Sequence, residues 1–164
     1  MEAVAKAATP GEAHKKLDPL VGNFDVKSKT WIDPAKPPEE TTGTSVRKWI
    51  LGNRYLEEQY AGSFMGQPFT GLGFQGYDNV AKRYVGTWMD TMSTGMMMST
   101  GTMNGKVIKS TGSMADPLTG KSSKYTMNMV VADNDKVDGD QLHPEEITRP
   151  ARGARWAEAA PAAS

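Results

Sequence analysis

The sequence contains no cysteine and only two histidines among its 164 residues. Without cysteine the chain has no disulfide, no thiolate nucleophile, no iron–sulfur cluster and no cysteine-based zinc site. The two imidazoles, His14 and His143, are too far apart in the sequence to have the spacing of a zinc site. Any chemistry must therefore use oxygen groups or a single imidazole.

An excess of one charge and long apolar runs are also missing. Nineteen Lys and Arg balance nineteen Asp and Glu, which is neither the composition of a nucleic-acid binder nor that of an acidic disordered tail. The first sixteen residues hold no apolar run of signal-peptide length, and no run reaches the roughly 18 residues of a transmembrane helix. We therefore expect a cytoplasmic protein with no nucleic-acid partner and no membrane span.

Glycine and proline, at 17 and 10 residues, separate short segments of alternating polarity. The segments recur about every ten to fifteen residues, which is typical of an all-β meander. The predicted strands are residues 24–31, 44–51, 54–60, 69–77, 83–90, 96–103, 107–114 and 124–131. Helix signals are confined to residues 11–20. Eight strands with short links favour a single antiparallel up-and-down, lipocalin-like β-barrel with a short N-terminal helix.

The two ends of the chain differ from this pattern. Residues 1–13 are predicted to be a flexible N-terminus, and residues 14–137 form the barrel domain. Residues 138–164 are rich in Ala, Arg and Pro and lose strand alternation, which predicts an irregular, disordered tail. Such a tail can replace a closing strand, so the sequence does not decide whether the barrel is closed.

Several short motifs within residues 14–136 together resemble those of a known protein family. They are His14…Leu17…Leu20…Gly22, Trp31-x-Asp33-Pro34, the FMGQPF turn, Gly76-Tyr77-Asp78-Asn79, Trp88-x-Asp90 and the turn Asp116-Pro117-Leu118-Thr119-Gly120-Lys121. In these motifs, over residues 14–136, the sequence resembles the uncharacterised bacterial domain-of-unknown-function 1579 family. The resemblance implies a small lipocalin-like barrel, in agreement with the strand count, and implies no activity and no catalytic residues.

Methionine is the most unusual count. Nine of the eleven methionines lie between residues 89 and 129, on strands that are predicted to be neighbours. Unbranched, polarizable thioethers adapt to irregular apolar ligands, although ordinary core filling explains the cluster equally well. The residues predicted to bind a small apolar or amphipathic molecule are Trp88, Met92, Met98, Met127, Met129 and Tyr60.

Asp90 is the predicted catalytic carboxylate. Period-two alternation places it on the face of Trp88, and of Met92 if the strand continues. A carboxylate beside an apolar cavity can act as a general base on water. Tyr77 is the second catalytic candidate, as a hydrogen-bond donor. The alternative role for Asp90 is to cap the turn that begins at Thr91.

Two neighbouring glutamates offer carboxylates as well. Glu57 and Glu58 point to opposite faces of one predicted strand, so at most one of them faces inward. We expect one of them to form a structural ion pair with Arg54 or Arg47.

An acidic segment, DNDKVDGD at residues 133–140, suits Ca²⁺, which takes six to eight oxygen ligands in flexible geometry. The predicted metal ligands are Asp133, Asp135, Asp138, Asp140 and Asp78. The spacing is not that of an EF-hand, and a solvated acidic turn is the alternative.

Two familiar sequence motifs give no support for a cofactor or for a serine nucleophile. Residues 71–76 spell G-x-G-x-x-G, but they lie inside a β-rich segment with no helix after them, so we predict no nucleotide or organic cofactor. No G-x-S-x-G elbow is present, which removes the usual signal for a serine hydrolase.

Two functions of different classes follow from this inventory. The first is a hydrolase that opens a small acyl lactone or ester, such as an N-acyl-homoserine lactone, in the apolar cavity with water activated by Asp90 and Ca²⁺. The alternative is a non-catalytic binding protein for a small amphipathic ligand. Saturable turnover would distinguish the two.

Overall fold

The computed structural model describes residues 1–30, 37, 39–115, 119–131 and 159–161. The strands are β1 (Gly22–Thr30), β2 (Glu39–Ile50), β3 (Tyr55–Phe64), β4 (Gln67–Asp78), β5 (Arg83–Asp90), β6 (Met97–Asn104), β7 (Val107–Ala115), β8 (Ser122–Val130) and β9 (Ala159–Pro161). The eight predicted strands correspond in order to β1–β8. The predicted all-β class is therefore confirmed.

The nine strands form one antiparallel sheet in the order β8-β7-β6-β5-β4-β3-β2-β1-β9. Each of β1 to β8 pairs with its neighbour in sequence, which confirms the up-and-down topology. The short strand β9 pairs with β1 on its other side. Within the described residues β8 and β1 are not paired, so this sheet curls into a half-barrel that stays open.

One face of the sheet carries the core because residues of one parity alternate inward on every strand. We call it the inner face; it includes Leu56, Tyr60 and Ile108. At one end of this face a cluster of buried side chains seals the sheet: Leu17, Leu20, Leu56, Tyr84, Ile108 and Val131. Leu17 and Ile108 are fully buried. The face that bears residues of the other parity is called the outer face.

Three short helical segments precede the sheet: α1 (Glu2–Ala8), α2 (Glu12–Lys15) and a 3₁₀ turn (Asp18–Leu20). The last two fulfil the prediction of a short N-terminal helix within residues 11–20. The Ala-rich α1 was not predicted. Asn79 holds its C-terminal end, since its side-chain amide donates to the carbonyls of Ala7 (3.0 Å) and Thr9 (2.8 Å).

Side-chain hydrogen bonds fasten this N-terminal cover to the sheet. The indole of Trp49 on β2 donates to Asp18 Oδ1 at 2.8 Å, and the hydroxyl of Tyr84 on β5 donates to the carbonyl of Ala13 at 3.0 Å. The cover therefore closes one end of the inner face. None of the helices in the described part of the chain is long and apolar enough to cross a membrane.

Candidate functional site

A polar cluster lies on the inner face where β2 and β3 pair. Ser45 Oγ donates to Glu58 Oε1 at 2.7 Å, and Arg47 Nη2 donates to the same oxygen at 2.9 Å. The side chains of Arg47 and Glu58 are only 17% and 23% exposed, and Ser45 is fully buried. The Arg47 guanidinium also lies 5.3 Å from the centre of the Phe24 ring, in the geometry of a cation–π contact. An ion pair is thus held in a largely apolar setting.

The cluster keeps unused hydrogen-bonding capacity. Arg47 Nε is buried and has no hydrogen-bond partner in the described part of the chain. Both hydrogen bonds to Glu58 end on Oε1, which leaves Oε2 as an acceptor. A buried donor without a partner is costly, so this corner of the inner face is chemically incomplete by itself.

Aromatic side chains border the polar cluster. Trp88 on β5 lies across the glycines of β4, since a Cβ at Gly71 would come within 2.0 Å of the indole and one at Gly73 within 3.0 Å. The indole meets Tyr60 edge-on at 6.5 Å between ring centres, and Tyr60 meets Phe69 in the same way at 5.6 Å. These rings form an apolar wall beside the Arg47–Glu58 pair, because Gly73 is the register partner of both Glu58 and Trp88.

Asp90 shares the inner face with Trp88, as alternation predicts. Its Oδ2 accepts a hydrogen bond from the indole of Trp88 at 2.8 Å, and its Oδ1 accepts one from the backbone N–H of Met92 at 2.9 Å. The second bond is the turn cap that the sequence offers as the alternative role. Because β5 ends at Asp90, Met92 lies in the following turn and is half-exposed rather than on the inner face.

The second catalytic candidate, Tyr77, lies far from Asp90. Tyr77 pairs with Tyr84 at one end of the β4–β5 ladder, and Asp90 pairs with Gly71 at the other. The six residue steps of β5 from Tyr84 to Asp90 span about 20 Å of strand. Tyr77 packs edge-on against Tyr84 at 5.0 Å and against His14 at 5.9 Å, in the sealed end of the sheet. The structure therefore does not bring the two candidates together.

The methionines divide between the two faces. The inner-face positions are Met97, Met103, Met114, Met127 and Met129, and the outer-face positions are Met89 and Met98. Met98, at 63% exposure, borders a shallow outer groove of about 520 Å³ together with Tyr55, Phe74 and Val85. Of the predicted ligand-binding methionines, Met127 and Met129 thus lie on the inner face and Met98 lies on the opposite one.

Four of the predicted calcium ligands, Asp133, Asp135, Asp138 and Asp140, lie outside the described residues. The fifth, Asp78, accepts hydrogen bonds from the backbone N–H groups of Val80 (2.8 Å) and Ala81 (2.9 Å). These bonds lower the pKa of Asp78 and explain its position at the turn after β4. The part of the chain that the structure describes contains no group of three or more acidic or histidine side chains arranged for a metal ion.

The expected structural ion pair is confirmed at Arg47 and Glu58, and Glu57 pairs with Lys48 on the outer face at 3.3 Å. No sequence motif assigned Ser45, Arg47 or Glu58 to a site. Alternation alone places Arg47 on the face of Ser45 and Glu58 on the face of Tyr60. Only the register, with Ser45 opposite Tyr60 and Arg47 opposite Glu58, joins them into one cluster.

Comparison with known protein families identifies the family of this chain. The model of a family described as a protein of unknown function, DUF1579, matches residues 9–140. The chain belongs to the DUF1579 family. The resemblance expected from the sequence motifs is thereby confirmed, and the matched region contains the whole of β1–β8 and the polar cluster. A search of curated proteins returns no match for this DUF1579 chain.

Proposed function

We propose that this DUF1579 protein is a non-catalytic binding protein for a small amphipathic molecule, which it holds on the inner face of the half-barrel. The observation that carries the proposal is the meeting of the Trp88–Tyr60 wall with the partly unsatisfied Arg47–Glu58 pair. Small-molecule sites combine an apolar lining with a few convergent polar groups in this way. The apolar part of the ligand would contact the partly buried Trp88 ring, and its head would meet the ion pair.

The contacts of Asp90 favour binding over hydrolysis. Its two oxygens accept from the Trp88 indole and from the Met92 N–H, so its carboxylate supports the wall and the turn. The other catalytic candidate, Tyr77 on β4, lies beside Tyr84 at the opposite end of the β4–β5 ladder. The Ca²⁺-assisted hydrolase of the sequence analysis stays a prediction, with its metal loop outside the described residues.

Methionine methyl groups give a direct test, since the two faces carry separate reporters. The protein, labelled with ¹³C at its methionine methyls, would be titrated with octanoyl-homoserine lactone and with octanol. We expect saturable shifts at Met97, the inner-face register partner of Trp88, and none at Met98 on the outer face. Shifts confined to Met98, or no saturable shift with either compound, would contradict the proposal.

A pair of variants supplies the matched control. Trp88→Leu removes the wall and should abolish the inner-face shifts, whereas Met98→Leu changes only the border of the outer groove and should leave them intact. Circular dichroism of both variants checks that each still folds. If Trp88→Leu is unfolded, the methyl shifts of the unmodified protein still decide which face binds.

A further inference from the structure

The charges around the polar cluster bear on the chemistry of the ligand's head group, an inference that rests on the proposed function. Arg47 is the cation of the cluster, and its charge is matched by Glu58 at 2.9 Å. Asp90 adds a second carboxylate on the same inner face, two residues beyond Trp88 on β5. An incoming anion would therefore find no excess positive charge here.

The unused hydrogen-bonding groups require both a donor and an acceptor from the ligand. Arg47 Nε is a buried N–H that lacks an acceptor, and Glu58 Oε2 is an acceptor beside the pair. A carboxylate satisfies the first group but repels the second, because two carboxylates in a poorly solvated site disfavour each other. An alkylammonium satisfies the second but leaves the Arg47 donor unsatisfied.

We infer that the head group is uncharged and both donates and accepts a hydrogen bond, as a primary amide or an alcohol does. The ligand's carbonyl or hydroxyl oxygen accepts from Arg47 Nε, and its N–H or O–H donates to Glu58 Oε2. The acyl or alkyl chain then extends along the partly buried Trp88, whose ring packs against the buried Tyr60. The neutrality of the Arg47–Glu58 pair sets the specificity.

The test is a series of ligands with one chain length and four head groups: octanamide, octanol, octanoate and octylamine. Calorimetric titration near neutral pH, where the acid is ionised and the amine is protonated, gives an affinity for each. We expect the amide and the alcohol to bind about tenfold or more tightly than either ion. Octanoate would lie beside the like charge of Glu58, and octylamine would leave the Arg47 donor without an acceptor. Tighter binding of octanoate or octylamine would overturn the inference while leaving the proposed function intact. Absence of saturable binding by all four would overturn the proposed function itself.

Glu58→Gln provides a reversal of preference. The amide keeps an oxygen that accepts from Ser45 and Arg47 but removes the charge that balances Arg47. Octanoate should then gain about tenfold or more in affinity, since Arg47 becomes an unmatched cation. The control is Glu57→Gln, the same change at the adjacent residue, whose carboxylate pairs with Lys48 on the outer face.

The control should leave the order of the four ligands unchanged. An equal gain in octanoate affinity in Glu58→Gln and Glu57→Gln would mean that the net charge of the protein, and not the polar cluster, causes the gain. That result would overturn the inference. If Glu58→Gln does not fold, the order of the four ligands in the unmodified protein still decides the question.

Discussion

The substitution Gly71→Ala tests the packing on which the candidate site depends. The indole of Trp88 lies so close over β4 that a Cβ at Gly71 would approach Cζ2 to 2.0 Å, well inside any van der Waals contact. The backbone of Gly71 is not in the left-handed region, so alanine is excluded by the ring and not by strain in the chain. The indole must therefore move.

The cost has two parts. Overpacking costs about 1–3 kcal/mol, and a displaced indole also loses its 2.8 Å hydrogen bond to Asp90, worth about 1.5–3 kcal/mol for a charged acceptor. The smaller entropy of the unfolded alanine chain returns about 0.4–1 kcal/mol. We expect the free energy of unfolding to fall by about 2–5 kcal/mol, with loss of the ligand shift at Met97.

Urea unfolding followed by circular dichroism measures this change, and two other glycines calibrate it. A Cβ at Gly73 would approach Trp88 to 3.0 Å, so Gly73→Ala should cost about 1 kcal/mol. Among the described residues a Cβ at Gly95 meets only Ser93 Oγ, at 3.8 Å, so Gly95→Ala should stay within about 0.5 kcal/mol of the unmodified protein. A Gly71→Ala protein as stable as Gly95→Ala would show that Trp88 does not pack tightly over Gly71.

Three other expectations follow from the same contacts. Burial lowers the pKa of His14 below its ordinary value of 6.5, so the unfolded chain binds more protons than the folded one and stability should fall as the pH drops below about 6.5. Urea unfolding between pH 8 and pH 5 should show this decrease in the free energy of unfolding. His14→Gln, which cannot take up the proton, should make the decrease smaller. An unchanged pH dependence in that variant would mean that His14 is not its cause. Tyr84→Phe removes the hydroxyl that donates to Ala13. Urea unfolding should show a free energy of unfolding that is lower by about 0.5–1.5 kcal/mol. Unaltered stability of this variant would mean that the hydrogen bond contributes nothing. In a hydrolysis screen over acyl esters and lactones, with Ca²⁺ and with chelator, we expect no saturable turnover; turnover that Asp90→Asn abolishes would replace the binding proposal with the predicted hydrolase.

The register between strands explains why the sequence predicted some parts of the candidate site and not others. Alternation within β5 placed Trp88 and Asp90 on one face, and it correctly separated Glu57 from Glu58. It did not place Tyr77 relative to Asp90, because a residue's position along a ladder depends on its partner strand. The predicted strands 44–51 and 54–60 leave only residues 52 and 53 between them, but β2 ends at Ile50 and β3 begins at Tyr55. The turn therefore spans four residues, with positive φ at Leu51, Gly52 and Asn53.

The sequence by itself determined the all-β class, the eight strands and their order, because polarity that alternates with period two and glycine- or proline-rich turns are local properties of the chain. The tertiary structure decided which side chains meet. It joined Ser45 and Arg47 to Glu58 across two strands, laid Trp88 over Gly71, and divided the methionines between two faces. These contacts depend on register and curl, and a shift of register by one residue would exchange the faces of a whole strand.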